Sequence, residues 1–178
     1  LFLDLYQIFI IHNRKWSVRE VVCFGILLCM VTVYCLILFE RKKIILSQVI
    51  SSELLFSYIV IVLESTVFAR QSTGIHENEL QLFWSWKEVL YGNFEMLTEI
   101  VLNILLLFPM GLLLPIVFHS KIRWWQGALI GWGLSAIIEI CQLILCRGLF
   151  EWDDMIHNSM GCMFGCILME KWLKSREV

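Results

Sequence analysis

The sequence predicts an all-α fold, a polytopic membrane helix bundle of about five transmembrane helices whose third helix is kinked at Pro109 and Pro115. Three observations carry this. Hydrophobic residues make up 59% of the 178 residues and charged residues 17%, with a mean hydropathy of +0.76, a balance foreign to a soluble domain. Five stretches approach the roughly 20 apolar residues that a helix needs to cross the hydrocarbon core. Polar residues within those stretches recur at helical spacing, so that they gather on single faces.

The elements follow in order. "LFLDLYQIFIIH" is too short to span and has Asp4 inside its apolar run with no small-residue cleavage site after it, so it is not a cleavable signal. Residues 1–19 read as an interfacial segment or the tail of a truncated helix. Residues 20–178 read as one transmembrane domain, with no internal repeat or low-complexity linker. The spans are 21–39, 44–68, 99–118, 127–146 and 157–173. The first has no charge. The second carries Glu53 and Glu64, eleven apart on one face, and the last is short and begins "HNS". In the third, Pro109 removes a backbone donor and leaves the Leu105 carbonyl without its helical partner. Such breaks persist in a bilayer only where protein or water satisfies them.

Charge sets orientation. The segments 40–43, 119–126 and 171–178 hold eight basic residues against six on the opposite side (Arg14, Lys15, Arg19, Arg70, Lys87 and Arg147). The positive-inside bias then puts the C-terminus in the cytoplasm and the loops 70–97 and 147–156 outside. Trp84, Trp86, Trp124, Trp125, Trp152 and Trp172 fall near predicted helix ends, where interfacial aromatics anchor. Net charge is −2, which excludes a nucleic-acid partner of the usual basic kind. The seven cysteines lie in apolar runs, are odd in number and fit no zinc spacing, so no disulfide framework is expected.

Chemistry concentrates in the last two spans. Gly127, Gly131, Ser135, Glu139, Gln142 and Cys146 share one face, small at its start and polar at its end. Small residues let a neighbouring helix approach closely. Asp154, Asn158, Gly161 and Gly165 repeat the design on the next helix, so the two faces should pack together, with Asn158 close to Gln142 and Glu139, and Arg147 and Asp153 in the connection above. Asn103 sits inside the apolar run "NILLLFPMG", with Gly111 on roughly the same face.

Together "NILLLFPMG", "SAIIEICQL" and "CRGLFEWDDMIHNSMG", with Gly165 following, resemble the VanZ-like family, integral membrane proteins named for a member that confers low-level resistance to the glycopeptide teicoplanin. The residues that carry the resemblance are Asn103, Phe108, Pro109, Gly111, Glu139, Gln142, Leu143, Arg147, Asp153, Asp154, Asn158 and Gly161, in order over roughly 58–170. Upstream, "TVFAR" with Arg70 and "ELQLFWSW" are similar to the family's arginine-ended helix and aromatic loop, although Phe83 and Trp84 stand where the family has Pro-Phe. The resemblance implies a cell-envelope role in a Gram-positive bacterium and supplies no reaction or cofactor.

An ionisable group at depth costs several kcal/mol unless it is paired or wetted, which makes function its default explanation. The expected site is a polar pocket at the outer face formed by Arg70, Asn103, Glu139, Gln142, Arg147, Asp153, Asp154 and Asn158. It would bind an envelope lipid or a lipid-linked cell-wall precursor by its headgroup. The plainer alternative is that these side chains tie helices together, a weak motive at about 0.6 kcal/mol per pair. As a hydrolase or transferase on a lipid-linked substrate, the protein would draw on Glu139, Arg147, Asp153 and Asp154, with Glu139 as base and Arg147 stabilising negative charge. Against this, Ser135 has no histidine beside it in sequence, and His157 near a loop end is expected to be solvated. Metal binding by Glu139, Asp153, Asp154 and His157 has no specifying spacing, so no metal or cofactor is expected. A small lipid-precursor transporter or flippase needs a continuous polar path, which the first span lacks, or oligomerisation through Gly161 and Gly165. A homo-oligomer remains open on that account.

Overall fold

The computed structural model describes residues 17–176. Of the N-terminal segment expected over 1–19, residues 1–16 lie outside the described residues. Helix α1 (Val18–Glu40) starts at once with a capping box, in which Ser17 Oγ accepts from Glu20 N and Glu20 Oε2 accepts from Ser17 N, satisfying two first-turn donors. Helix α2 (Leu46–Leu63) passes into a π-helical turn, Glu64–Phe68. After a short strand β1 (Glu77–Glu79) come helix α3 (Trp84–Leu90) and helix α4 (Phe94–Phe118). Helix α5 (Trp124–Leu145), strand β2 (Leu149–Glu151) and helix α6 (Trp152–Arg176) complete the described chain.

The protein is an all-α membrane helix bundle. Four of its helical stretches, Val18–Glu40, Leu46–Phe68, Phe94–Phe118 and Trp124–Leu145, are long and apolar enough to cross a membrane. Helix α6 is as long as α4 but more polar, and it lies between α4 and α5. A central helix can be polar because its neighbours, not lipid, surround it. Helix α1 is peripheral, resting on α2 through the stacked rings of Phe24 and Phe56, 6.4 Å apart.

Helix α4 runs unbroken through both prolines. Side chains of α2 support it there. The Tyr58 hydroxyl donates to Leu106 O (2.6 Å), one residue from the carbonyl that Pro109 deprives, and Gln48 Nε2 donates to Val117 O (2.9 Å) at the helix end.

The contact between α4 and α6 depends on absent side chains. A Cβ built on Gly161 would lie 1.8 Å from Ile104 O, one on Gly165 2.3 Å from Phe108 O, and one on Gly111 2.1 Å from Cys162 O. The stripe on α5 works as its spacing implied: Gly127 meets the Cys166 side chain and Gly131 that of Cys162. Gly161 and Gly165, expected to share the α5 interface or to serve an oligomer, instead seat α6 on α4 of the same chain. Leu107, Met110, Leu114, Ile138, Cys162 and Cys166 form the core around these crossings.

Boundaries moved for physical reasons. Helix α6 begins at Trp152, not 157, because Asp153 and Asp154 occupy its first turn, where carboxylates suit the positive end of the helix dipole. The connection expected over 147–156 therefore shrinks to β2 and its flanks. Helix α4 begins at Phe94 rather than 99. The loop expected over 70–97 contains β1 and α3, and β1 pairs with β2 in parallel, Glu79 opposite Glu151. Residues 68–93 and 146–152 thus gather at one end of the bundle. The turn at 119–123 lies at the other, where Ile122 N donates to Glu170 Oε1 on α6 (2.8 Å).

Candidate functional site

At the end marked by β1 and β2, polar side chains from four segments meet between the helices. Glu139, in the next-to-last turn of α5, is 2% exposed and accepts a hydrogen bond from the backbone N–H of Glu151 (2.9 Å). Asp154, on the first turn of α6, accepts from Asn103 Nδ2 on α4. Glu139 and Asp154 lie close enough for their charges to repel, and the Arg70 guanidinium attracts both. Arg70 itself is exposed and lies over Gln142 and Gly148, where a Cβ on Gly148 would come 2.9 Å from Arg70 Nη1.

Sequence reasoning passed over two further carboxylates. Glu151, in β2, accepts from the Trp84 indole N–H (3.2 Å). Its pKa is pushed up to about 8, first by burial and then by the negative charge of Asp154, with Glu99 and Asp153 adding to the push and Trp84 opposing it. Glu99, exposed on α4, faces Glu151 and Asp154. Glu151 stands within the stretch that carried the resemblance, yet only the pairing of β2 with β1 shows that it faces this cluster.

The remaining expected site residues surround the cluster and bind backbone. Gln142 Nε2 donates to Thr66 O (2.9 Å), and Arg147 Nη1 donates to Phe68 O (2.8 Å) and Val67 O (3.3 Å). Together they satisfy carbonyls at the end of the π-helical turn, which has no continuing helix to do so. Asp153 accepts from Phe83 N (2.6 Å), Ser85 N (3.0 Å) and Ser85 Oγ (2.6 Å), acting from a distant helix as the N-terminal cap of α3. Phe83 has φ +60° at that cap, a value proline cannot adopt. The Phe83 and Trp84 departure thus coincides with a local conformation of its own.

Asn158, expected beside Gln142 and Glu139, donates to Ser135 Oγ (2.9 Å) one turn beneath Glu139, because Gln142 is turned toward α2. His157 is not solvated as expected. It is 1% exposed and its Nε2 faces the Trp86 indole N–H (3.0 Å). Indole nitrogen only donates, so Nε2 accepts and Nδ1 carries the proton. Trp84 and Trp86, expected as interfacial anchors, therefore also bond to polar groups of the bundle.

With Ser135 engaged by Asn158, His157 by Trp86 and Asp153 by α3, no nucleophile, base and orienting acid stand in sequence among the described residues. Nor do three His, Cys, Asp or Glu side chains among them converge as a metal ion requires. The cysteines among them are free thiols.

A bundle of membrane-spanning helices with ionisable side chains gathered between them at one end is a polytopic membrane protein with a polar interhelical cluster. The VanZ/LLP1 family model matches residues 53–173, and the chain belongs to that family. No curated protein and no solved structure matches the chain. The matched range holds most of α2 through most of α6 and so every residue of the cluster, leaving α1 outside.

Proposed function

We propose that the protein is a cell-envelope component that binds the headgroup of an envelope lipid or lipid-linked wall precursor in the cluster around Arg70, Asn103, Glu139 and Asp154. In doing so it contributes to glycopeptide resistance of the teicoplanin type. The observation that supports this is the meeting of these four side chains from four separate segments at one end of the bundle. Helix glue would not favour that arrangement, since Glu139 and Asp154 repel one another, and a design for stability alone would replace at least one with a neutral residue. The eight-to-six excess of basic residues at the opposite end favours an outward position for this one, where wall precursors are displayed.

The mutational test separates binding from folding. Glu139→Gln keeps the shape and the acceptor for Glu151 N–H but removes the charge. It should abolish the contribution to teicoplanin tolerance in cells while the protein reaches the membrane at normal levels. Arg70→Ala, at an exposed position, should do the same. Full tolerance in both variants at normal levels would leave the cluster with a structural role only.

A further inference from the structure

The cluster is unbalanced. Asp154 and Glu151 repel each other and Glu99, and Glu139 repels both Asp154 and Glu151, while one guanidinium, that of Arg70, attracts Glu139 and Asp154. Arg147, the other arginine at this end, turns its Nη1 to backbone carbonyls. Burial grades inward: Glu99 and Arg70 are exposed, Glu151 and Asp154 half-buried, and Glu139 and Asn158 buried. Burial first, and then the neighbouring carboxylates, raise the pKa of Glu151 to about 8.

A second observation comes from the floor. Asn158 is 2% exposed and lies one helical turn below Asp154 on the same face of α6. Its Nδ2 holds Ser135, itself one turn below Glu139, so the amide sits between the two helices directly beneath both carboxylates. Its Oδ1 is buried without a hydrogen-bond partner. A buried amide oxygen left unmatched costs about 1–3 kcal/mol, which a donor from a guest would recover.

We infer that the site takes a primary ammonium group, carried on a phosphate-bearing lipid headgroup, with the ammonium between Glu139, Asp154 and the Asn158 amide oxygen and the phosphate at Arg70. This rests on the headgroup reading above and narrows it to amine-bearing lipids. An ammonium brings three donors and tolerates acceptors spread over two helices. A metal ion demands ligands converging to within about 2.0–2.6 Å, and among the described residues no such set exists. The single guanidinium at the rim matches one phosphate, the fork binding its oxygens.

The test uses the full chain in nanodiscs, with lipids retained after delipidation measured by native mass spectrometry. Phosphatidylethanolamine, phosphatidylcholine and phosphatidylglycerol are offered in equal amounts. Phosphatidylethanolamine should be retained about tenfold over both others, the scale of one charge-assisted contact. Glu99→Gln at the exposed rim and Glu139→Gln on the floor should each reduce that preference. Soluble phosphoethanolamine should displace the lipid if the headgroup alone is recognised. Its failure to do so, with the preference intact, assigns the acyl chains a share and keeps the amine requirement. Phosphatidylglycerol retained as well as phosphatidylethanolamine would overturn the amine inference and leave headgroup binding standing. Retention of none of the three would overturn both. A thermal shift with calcium or magnesium chloride that ethanolammonium chloride does not reproduce would replace the ammonium with a metal ion.

Discussion

Glu151 shows how far a single residue's chemistry departs from what its neighbours in sequence suggest. Between Phe150 and Trp152 it reads as an ordinary interfacial acid, but it lies against Asp154, Glu99 and Asp153 and holds its proton up to about 8. The sign of the consequence is fixed by linkage. A carboxyl whose folded pKa lies above its ordinary 4.5 binds a proton more tightly when folded, so its contribution to stability is full at low pH and is lost as pH rises to about 8. Thermal unfolding in detergent should therefore show the melting temperature falling toward that pH, with a shallower fall in Glu151→Gln. Identical slopes would mean that Glu151 does not hold the proton. At this scale the sequence was partly legible. Glu139 and Asn103 announced themselves as polar groups inside apolar runs, and Asp154 by its helical spacing to Asn158 and Gly161. Asp153, His157 and Glu151 could not be assigned, because their partners Ser85, Trp86 and Trp84 lie about 70 residues away on a segment with no periodic signal.

Among the elements, the glycines that seat α6 make the most direct prediction. Gly161→Ala places a methyl 1.8 Å from the Ile104 carbonyl oxygen, backbone against backbone, so α4 and α6 must separate. The cost of such overpacking is about 1–3 kcal/mol, read as a lowered melting temperature of the purified protein. Gly25→Ala on α1, with nothing within 4 Å of the new carbon, is the matched control and should melt like the parent. Equal melting of all three would show that the helices do not cross as closely as described. Spacing on α5 made Gly127, Gly131 and Ser135 readable as a packing face. The partner of Gly161 and Gly165 was not readable, since a helix with small residues on two sides offers two faces and the sequence does not rank them. Helix α3 and the β1–β2 pair escaped for a different reason. Each is too short to show periodicity, and a hydrogen-bonded ladder or a cap donated from another helix stabilises it only after the chain has folded.

For the whole molecule, the hydropathy pattern was enough to read an all-α membrane bundle, because backbone groups in hydrocarbon must be satisfied within the segment that carries them. The bundle makes orientation a single choice. Residues 68–93 and 146–152 share one end through β1 and β2, and the turn at 119–123 is tied by Glu170 to the other. A fluorescent protein fused after residue 176 should fold and fluoresce, and alkaline phosphatase at the same place should be inactive, if the basic end is cytoplasmic. Phosphatase activity there would invert the molecule and put the carboxylate cluster on the cytoplasmic side, away from exported precursors.

The central place of α6 bears on how the protein comes into being. It leaves the ribosome after α4 and α5, yet both close upon it, and the backbone N–H that Glu139 accepts from belongs to the residue just ahead of it. Until α6 has emerged, α4 and α5 wait in the bilayer with glycine faces uncovered and a carboxylate lacking its donor. A chain cut short before residue 151 thus keeps two helices that cannot close and a carboxylate that cannot be capped.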